Sequence, residues 1–164
     1  MSIEQELYSF RSYGWHKGFY CDKNLANSLF SIRYSDFCDE NNDDDFPYDS
    51  AHQLLYGACH IFALSLHKLL NYNIYIIEEK NGKGFHAFCQ VYKNWEWYYI
   101  DARGVTTSFD EFMKVAKEFV KDEYIIRPVS DDDISEWKTA NAYDNEAFAF
   151  AEAIIKKFEI YYTL

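Results

Sequence analysis

The sequence lacks the features that define several broad classes of protein. Only 6 of its 164 residues are glycine and only 2 are proline, which argues against a low-complexity or linker-rich chain. No stretch approaches the roughly 18 consecutive apolar residues of a membrane span. The N-terminal segment, MSIEQELYSF, has no basic stretch followed by an apolar run. We therefore expect neither a signal peptide nor a membrane association.

The sequence has no cysteine pattern of the kinds that mark common structural sites. The cysteines form no CxxC pair and no paired spacing, so the sequence predicts neither a zinc site nor a disulfide framework. In the absence of a secretory signal, we expect free thiols in a reducing cytoplasm. The four cysteines are Cys21, Cys38, Cys59 and Cys89.

Aromatic and acidic residues, in contrast, are abundant. The 15 Tyr, 14 Phe and 4 Trp supply core material for a single domain over residues 1–164. A chain of this length buries roughly two-thirds of its unfolded surface. The formal net charge of −11 disfavours binding to nucleic acid or to an anionic membrane, because both carry negative charge. An acidic surface keeps a protein soluble, and it would also suit a basic partner protein.

The order of the predicted elements indicates an α+β fold. Apolar residues at helical spacing predict a helix over 58–70, and β-rich runs predict strands over 74–79, 85–92 and 95–101. We therefore expect a helix packed on a small antiparallel sheet, with helical N- and C-terminal flanks. Helices are predicted in these flanks over 3–13, 24–37 and 142–160, and also after Ser108 and Ser130.

A hairpin between the last two strands would bring a histidine to an aspartate. If Lys93 and Asn94 are the centre of its loop, His86 directly faces Asp101. Side chains that face each other on a sheet have Cβ atoms about 4.5–5.5 Å apart, which lets a carboxylate accept the imidazole N–H. Lys-Asn is not the favoured Asn-Gly turn, and a three-residue loop or a bulge would break this register.

Cys59 lies at the start of the predicted helix over 58–70. A thiol in the first turn of a helix feels the positive end of the helix dipole, which favours the thiolate. A lone cysteine on an apolar helix is usually a small core residue, and a His–Asp pair on a sheet is often only a hydrogen bond. Together and in this order, however, a cysteine, a histidine and an acid match a nucleophile, a base and an orienting group.

Two segments, GACHIFALSLHKLL and HAFCQVYKNWEWYYIDARG, resemble the core of transglutaminase-like proteins, a papain-related superfamily of cysteine enzymes. That family has Gly-x-Cys at a helix start, His-Ala-aromatic on one strand, and a Trp before the Asp on the following strand. The resemblance covers about residues 53–105 and implies a papain/transglutaminase-like catalytic core at about 49–105. It implies Cys59 as the nucleophile, His86 as the general base and acid, and Asp101 as the residue that orients His86.

Three further residues are candidates for the site. Gln53 precedes Cys59 by the spacing at which papain-like proteases place an oxyanion-hole glutamine, although a glutamine on a solvated turn fits equally well. By strand parity, Trp95 and Trp97 share a face with His86, where they would either wall a substrate cleft or pack in the core.

Two neighbours of the predicted triad have less certain roles. The residue after Cys59 is His60, where the resembling families usually carry an aromatic residue. It is either a second polar group of the site or a residue on the helix surface. Arg103 follows Asp101 by two positions, so the two side chains share a face of the strand and we expect an ion pair, more often structural than catalytic.

These residues predict a cysteine-dependent hydrolase or transglutaminase that works through an acyl-thioester, without a metal or an organic cofactor. With water as acceptor it would be a protease, amidase or deamidase, and by resemblance we expect a protein or peptide substrate. One alternative is an acidic binding or inhibitor protein on the same fold, which would occlude a basic partner as a DNA-mimic decoy does, through residues 39–45 and 131–133. Another is an acyltransferase that uses a thioester donor such as acyl-coenzyme A.

Overall fold

The structure, a computed structural model, describes residues 15–19, 27–38, 49–81, 84–139 and 144–164. In these residues six strands form one antiparallel sheet, accompanied by six α-helices, which confirms the predicted α+β class. The helix predicted over 3–13 and the acidic segment 39–45 lie outside the described residues. No helix in the described part of the chain is long and apolar enough to cross a membrane.

The strands pair in the spatial order β1-β5-β4-β3-β2-β6, and every pair is antiparallel. The strands are β1 (Trp15–Gly18), β2 (Ile74–Glu79), β3 (Phe85–Lys93), β4 (Glu96–Asp101), β5 (Gly104–Thr106) and β6 (Tyr124–Pro128). The helices are α1 (Asn27–Phe30), α2 (Cys59–Leu70), α3 (Phe109–Phe119), α4 (Asp131–Thr139), α5 (Asp144–Lys157) and α6 (Glu159–Tyr162), with 3-10 turns at Tyr34–Asp36 and Ala51–Leu54.

The sheet separates two apolar clusters because successive side chains of a strand point to opposite faces. On β3, Ala87 and Cys89 join the larger cluster with α2 and α5, whereas Phe88 joins the smaller cluster with α3. Cys89 therefore points away from His86, as strand alternation predicts. Each fully buried Phe or Leu in these clusters contributes about 1.5–3 kcal/mol, so both helical layers stabilise the sheet that carries the site.

The central elements were predicted well from local pattern. The helix predicted over 58–70 begins at Cys59 and ends at Leu70, and the strand predicted over 74–79 has those bounds. Ser108 caps α3 as predicted, since its hydroxyl accepts a hydrogen bond from the N–H of Glu111.

The flanks are not purely helical, which corrects the prediction. β1 precedes the predicted core and pairs with β5, while β6 follows it and pairs with β2, so both edges of the sheet come from outside residues 49–105. Of the helix predicted over 24–37, the described part contains only α1 and a 3-10 turn, because Arg33 forms a β-bridge with Ser50. These two edge strands have only four and five residues, and they depend on pairing with residues distant in the sequence.

Candidate active site

Cys59 is the first residue of α2, and a tight turn leads into it. Gly57 has a φ of 101°, which glycine adopts without steric penalty, and the N–H of Ala58 donates to the Gln53 carbonyl at 2.9 Å. No side chain caps the first turn of α2. The Cys59 thiol therefore lies at the positive end of a 12-residue helix, and its side chain is buried.

β3 supplies two groups beside the thiol. His86 is fully buried, with its ring parallel to that of Phe119 at a centroid distance of 6.1 Å. The next residue, Ala87, donates its backbone N–H to the Cys59 sulfur at 3.4 Å. The strand thus brings a backbone donor to the sulfur, and the imidazole belongs to the residue before that donor.

Asp101 is the last residue of β4 and completes the chain of contacts. Its Oδ2 lies 3.3 Å from Nε2 of His86. Because Nε2 is used by Asp101, Nδ1 is the nitrogen that remains for Cys59. Nδ1 has no partner of standard hydrogen-bond geometry among the described residues, so the contact with the thiol is a loose one, as is common in unliganded active sites.

The hairpin brings His86 and Asp101 together through a register that differs from the predicted one. The loop consists of Asn94 and Trp95, one residue later than predicted, and both have the positive φ (53° and 65°) that a type I′ turn requires. Continued along the strands, this register places Asp101 opposite Phe88, not opposite His86. The displacement changes each partner by two positions, so His86 and Asp101 stay on one face and meet diagonally.

The charges of the three side chains support one another. Burial alone would raise the pKa of Cys59, but the neighbouring imidazoles of His60 and His86 and the charge of His86 lower that pKa to about 6. Burial alone would lower the pKa of His86, but the hydrogen bond with Asp101 and the neighbouring Cys59 raise it to about 9. Between these two values the site holds a thiolate and an imidazolium.

Arg103 binds the carboxylate of Asp101, as predicted. Its Nη2 donates to Oδ2 at 2.6 Å and its Nε donates to Oδ1 at 3.0 Å. Burial alone would raise the pKa of Asp101, but the Arg103 charge and the hydrogen bonds with His86 and Arg103 hold that pKa well below its usual range. The Asp101 carboxylate is therefore ionised throughout the neutral range.

An aromatic layer packs on the residues next to Cys59 and His86 in sequence. Trp137 on α4 packs against His60 at a centroid distance of 5.6 Å, and its ring is parallel to that of Phe85 at 6.2 Å. His60 follows Cys59 in sequence, and Phe85 precedes His86. Trp137 is the buried residue of α4, so this helix meets the site mainly through one side chain.

Gln53 lies in the 3-10 turn before Cys59, where its side chain completes a cap. Its amide nitrogen donates to Asp49 at 2.7 Å, and its amide oxygen accepts from the Ser50 N–H at 3.0 Å. The notion that this amide also stabilises an oxyanion stays a prediction, since the structure shows it directed to the cap.

The two tryptophans of the hairpin lie away from the triad. Trp95 is in the loop and 92 % exposed, and Trp97 packs on Tyr92 at a centroid distance of 5.0 Å near the same end. Trp97 shares the His86 face by parity, but it is four residues from Asp101 along β4. A cleft wall made by either ring stays a prediction.

Sequence reasoning missed Trp137 and did not resolve His60. The adjacency of His60 to Cys59 was its only signal, and in the structure the His60 imidazole contributes to the lowered pKa of Cys59. Trp137 carried no signal, because it reaches the site only through the position of α4 in the fold. Tyr56 was also missed. It packs on Phe119, and burial, together with the nearby Glu118 carboxylate, raises its pKa above the ordinary value.

Within the described ranges, no group of three His, Cys, Asp or Glu side chains is arranged to hold a metal ion. Comparisons with models of protein families, with curated proteins and with solved structures found no match for this chain. Its function must therefore be argued from the geometry and electrostatics of the site.

Proposed function

We propose that this protein is a cysteine-dependent acyl-transfer enzyme in which Cys59 is the nucleophile, His86 the base and acid, and Asp101 the orienting group. The observation that carries the proposal is the buried placement of the three residues: the N–H of Ala87, the residue after His86, donates to the Cys59 sulfur at 3.4 Å, and Nε2 of His86 lies 3.3 Å from Oδ2 of Asp101. Burying ionisable groups costs several kcal/mol each unless they are well paired. A site under selection for packing alone would be expected to use apolar residues here.

Cys89 provides a comparison within the same sheet. It is also fully buried, and its sulfur contacts the Ala63 carbonyl at 3.6 Å. Burial raises the pKa of Cys89 above its ordinary value, whereas the pKa of Cys59 is lowered. Since both thiols are buried, it is the imidazoles around Cys59 that distinguish the reactive thiol from the structural one.

The proposed reaction follows from these roles. The Cys59 thiolate attacks the carbonyl carbon of an amide or ester, and a C–S bond forms. The His86 imidazolium then gives its proton to the leaving amine or alcohol as the C–N or C–O bond breaks, which leaves a thioester on Cys59. Neutral His86 next takes a proton from water or from an amine, which attacks the thioester and restores the thiolate.

The arrangement of the elements also supports a papain/transglutaminase-like core. In the described residues, a nucleophile at a helix start meets a histidine and an acid on adjacent antiparallel strands. This order of roles is the one on which the resemblance in the sequence rests. By the same resemblance, we propose that the substrate is an amide of a protein or peptide.

Trapping of the acyl-enzyme tests the proposal. The protein is mixed with p-nitrophenyl acetate near pH 7, and the intact mass is followed with time. We expect one acetyl group per chain on Cys59, none on Cys59 in Cys59→Ser, and acylation slowed by about 10²–10⁴-fold in His86→Gln. Cys89→Ser is the matched control and should acylate like the wild type.

The decay of the adduct identifies the acceptor. Decay that accelerates with an added primary amine and yields the amide indicates transglutaminase-type transfer, whereas decay indifferent to amine indicates hydrolysis. Acetyl-coenzyme A in place of the ester tests the acyltransferase alternative. A Cys59 that acquires no acyl group from any of these donors contradicts the proposed function.

A second candidate function is binding to a basic partner through the acidic surface. The observation that favours it is the closed site, in which Cys59 is 6 % exposed and His86 0 %. The first turn of α4 is acidic, although Asp133 is already paired with Arg127 at 2.7 Å. This function predicts salt-sensitive binding to poly-lysine that weakens when Asp131 and Asp132 are both replaced by Asn, with no acyl-enzyme in the trapping experiment.

A further inference from the structure

The Asp101 carboxylate is bound more closely by an arginine than by the histidine that it orients. Oδ2 lies 2.6 Å from Nη2 of Arg103 and 3.3 Å from Nε2 of His86. Oδ1 accepts from both the Nε and the backbone N–H of Arg103, at 3.0 and 2.9 Å. The guanidinium thus holds both oxygens of the carboxylate, and one of them is shared with the imidazole.

Other elements fix the position of this guanidinium independently of Asp101. Its Nη2 donates to the Phe112 carbonyl at 3.1 Å, in the first half of α3. The ring of Trp15 on β1 lies 4.5 Å from the guanidinium carbon, a cation–π distance. The N–H of Phe19 donates to the Arg103 carbonyl at 2.8 Å. The placement of Arg103 is therefore a property of the whole fold.

Four charges meet in the thiolate–imidazolium state, two negative and two positive. Each of the four residues is at most 6 % exposed, so water screens them little. With Arg103 the cluster is neutral, and without it the cluster would hold one uncompensated negative charge. Because that charge lies on Asp101, it would act directly on the imidazolium.

We propose that Arg103 is a positioning residue of the site, which weakens the hold of Asp101 on the His86 proton and so keeps the imidazolium able to donate it. The inference rests on the proposed function, since it concerns the proton that His86 passes to the leaving group. A general acid works best when its pKa is near the operating pH, and an acid bound too tightly to a carboxylate donates poorly. Arg103 prevents this because its guanidinium donates hydrogen bonds to both oxygens of the Asp101 carboxylate, which then binds the imidazolium less tightly.

Among the groups on the elements around His86, Arg103 is the cation that balances the negative charge of Asp101. α2 contributes the thiol, β4 the carboxylate, and α3 two aromatic rings, while β2 pairs with His86 through an apolar residue. Tyr56, close to Asp101 and Arg103, is kept neutral because burial raises its pKa. The groups on the elements around His86 are therefore Cys59, Asp101, Arg103, Phe112, Phe119, Ile77, Tyr56 and Glu118, of which Glu118 interacts with Tyr56.

The test is the titration of the His86 imidazole, followed by NMR through its Cε1–H signal in the full chain. In Arg103→Met, which removes the charge, we expect the midpoint to rise from about 9 by one pH unit or more. In Arg103→Lys, which keeps the charge, we expect a midpoint near that of the wild type. A midpoint in folded Arg103→Met equal to that of the wild type would overturn the proposal, as would a shift of the same size in both variants.

A second pair of variants covers the possibility that Arg103→Met does not fold. Asp101→Asn and Asp101→Asn/Arg103→Met both lack the carboxylate through which Arg103 is proposed to act, and the double variant replaces both partners of the buried pair, which is far better tolerated than removing one. If Arg103 acts through Asp101, the two variants should show nearly equal His86 midpoints. A midpoint higher by one pH unit or more in the double variant would show that the guanidinium acts on His86 without the carboxylate, and would refute the proposed role. Cys59→Ser, measured alongside, tests the proposed function separately, because loss of the thiolate lowers the His86 midpoint only if the two residues are coupled.

Discussion

Removal of the His86 imidazole should convert Cys59 from a thiol of lowered pKa into an ordinary buried thiol. In the folded protein the pKa of Cys59 is lowered to about 6, with burial opposing the change and His60 and His86 causing it. In His86→Ala the charge and one hydrogen bond are lost, whereas burial and His60 remain. We therefore expect the titration of the thiol to move to higher pH.

The size of this change follows from Coulomb's law. Two unit charges about 4 Å apart, in a medium of effective dielectric about 20, interact by about 4 kcal/mol, or about 3 pKa units. Water that fills the space left by the imidazole reduces the effect of burial, so a rise of about 2–3 units is expected. At pH 7 a rise from about 6 to about 8.5 lowers the thiolate fraction roughly 30-fold.

The assay is the pH dependence of alkylation by iodoacetamide in a background in which Cys21, Cys38 and Cys89 are Ser. The ultraviolet absorbance of the thiolate, measured against Cys59→Ser, gives the same midpoint without requiring access for the reagent. His67→Ala is the matched control, because the His67 ring instead contacts the Tyr72 carbonyl at 2.8 Å. A wild-type midpoint near 8.5, or one that His86→Ala leaves unchanged, would refute the thiol–imidazole couple.

Three other measurements follow from the site and its supports. Turnover should rise as the pH passes about 6, where the thiolate forms, and fall as it passes about 9, where the imidazolium loses its proton, so a monotonic pH profile would contradict the ion pair. Trp137→Ala should accelerate alkylation of Cys59 without moving its midpoint, because it removes the ring packed on His60, the residue after Cys59, and leaves the charges in place, while Trp95→Ala at the hairpin tip should change neither. Gly104→Ala should lower the free energy of unfolding in urea by roughly 3 kcal/mol, since φ is +117° and the added methyl would lie 2.3 Å from a backbone atom of β1. Gly57→Ala, at φ +101° in open space, should cost only about 1 kcal/mol.

The face of the His–Asp pair was predictable from sequence, and its register was not. Parity along two strands decides which side chains share a face of the sheet. Any two-residue loop in this region preserves that parity, and it therefore places His86 and Asp101 on the same face. The choice between Lys93-Asn94 and Asn94-Trp95 as the loop depends on which residues accept a positive φ. Asn94 does so readily, but a bulky Trp95 does not, so intrinsic preference pointed to the wrong loop.

Elements with a complete local pattern were also predictable. α2 has an apolar stripe, β2 a run of β-branched and aromatic residues, and α3 a Ser108 cap with an acidic first turn. β1 has only four residues and no alternation, and it is a strand because Gly18 and Gly104 let two backbones approach closely. Contacts of this kind join residues far apart in the chain, and no window of sequence contains both.

The same distinction separates the proposed triad from the groups that set its properties. Cys59, His86 and Asp101 all lie in the predicted core at about 49–105, which is why they could be proposed from the sequence. The ring that packs on His60 is on α4, and the ring and the carbonyl that hold Arg103 are on β1 and α3, all outside that core. A fragment restricted to 49–105 would keep the triad in sequence but lose the contacts that fix its countercharge and exclude water. The lowered thiol pKa is therefore a property of the whole fold, and we expect it to disappear from the fragment even where the helix and hairpin persist.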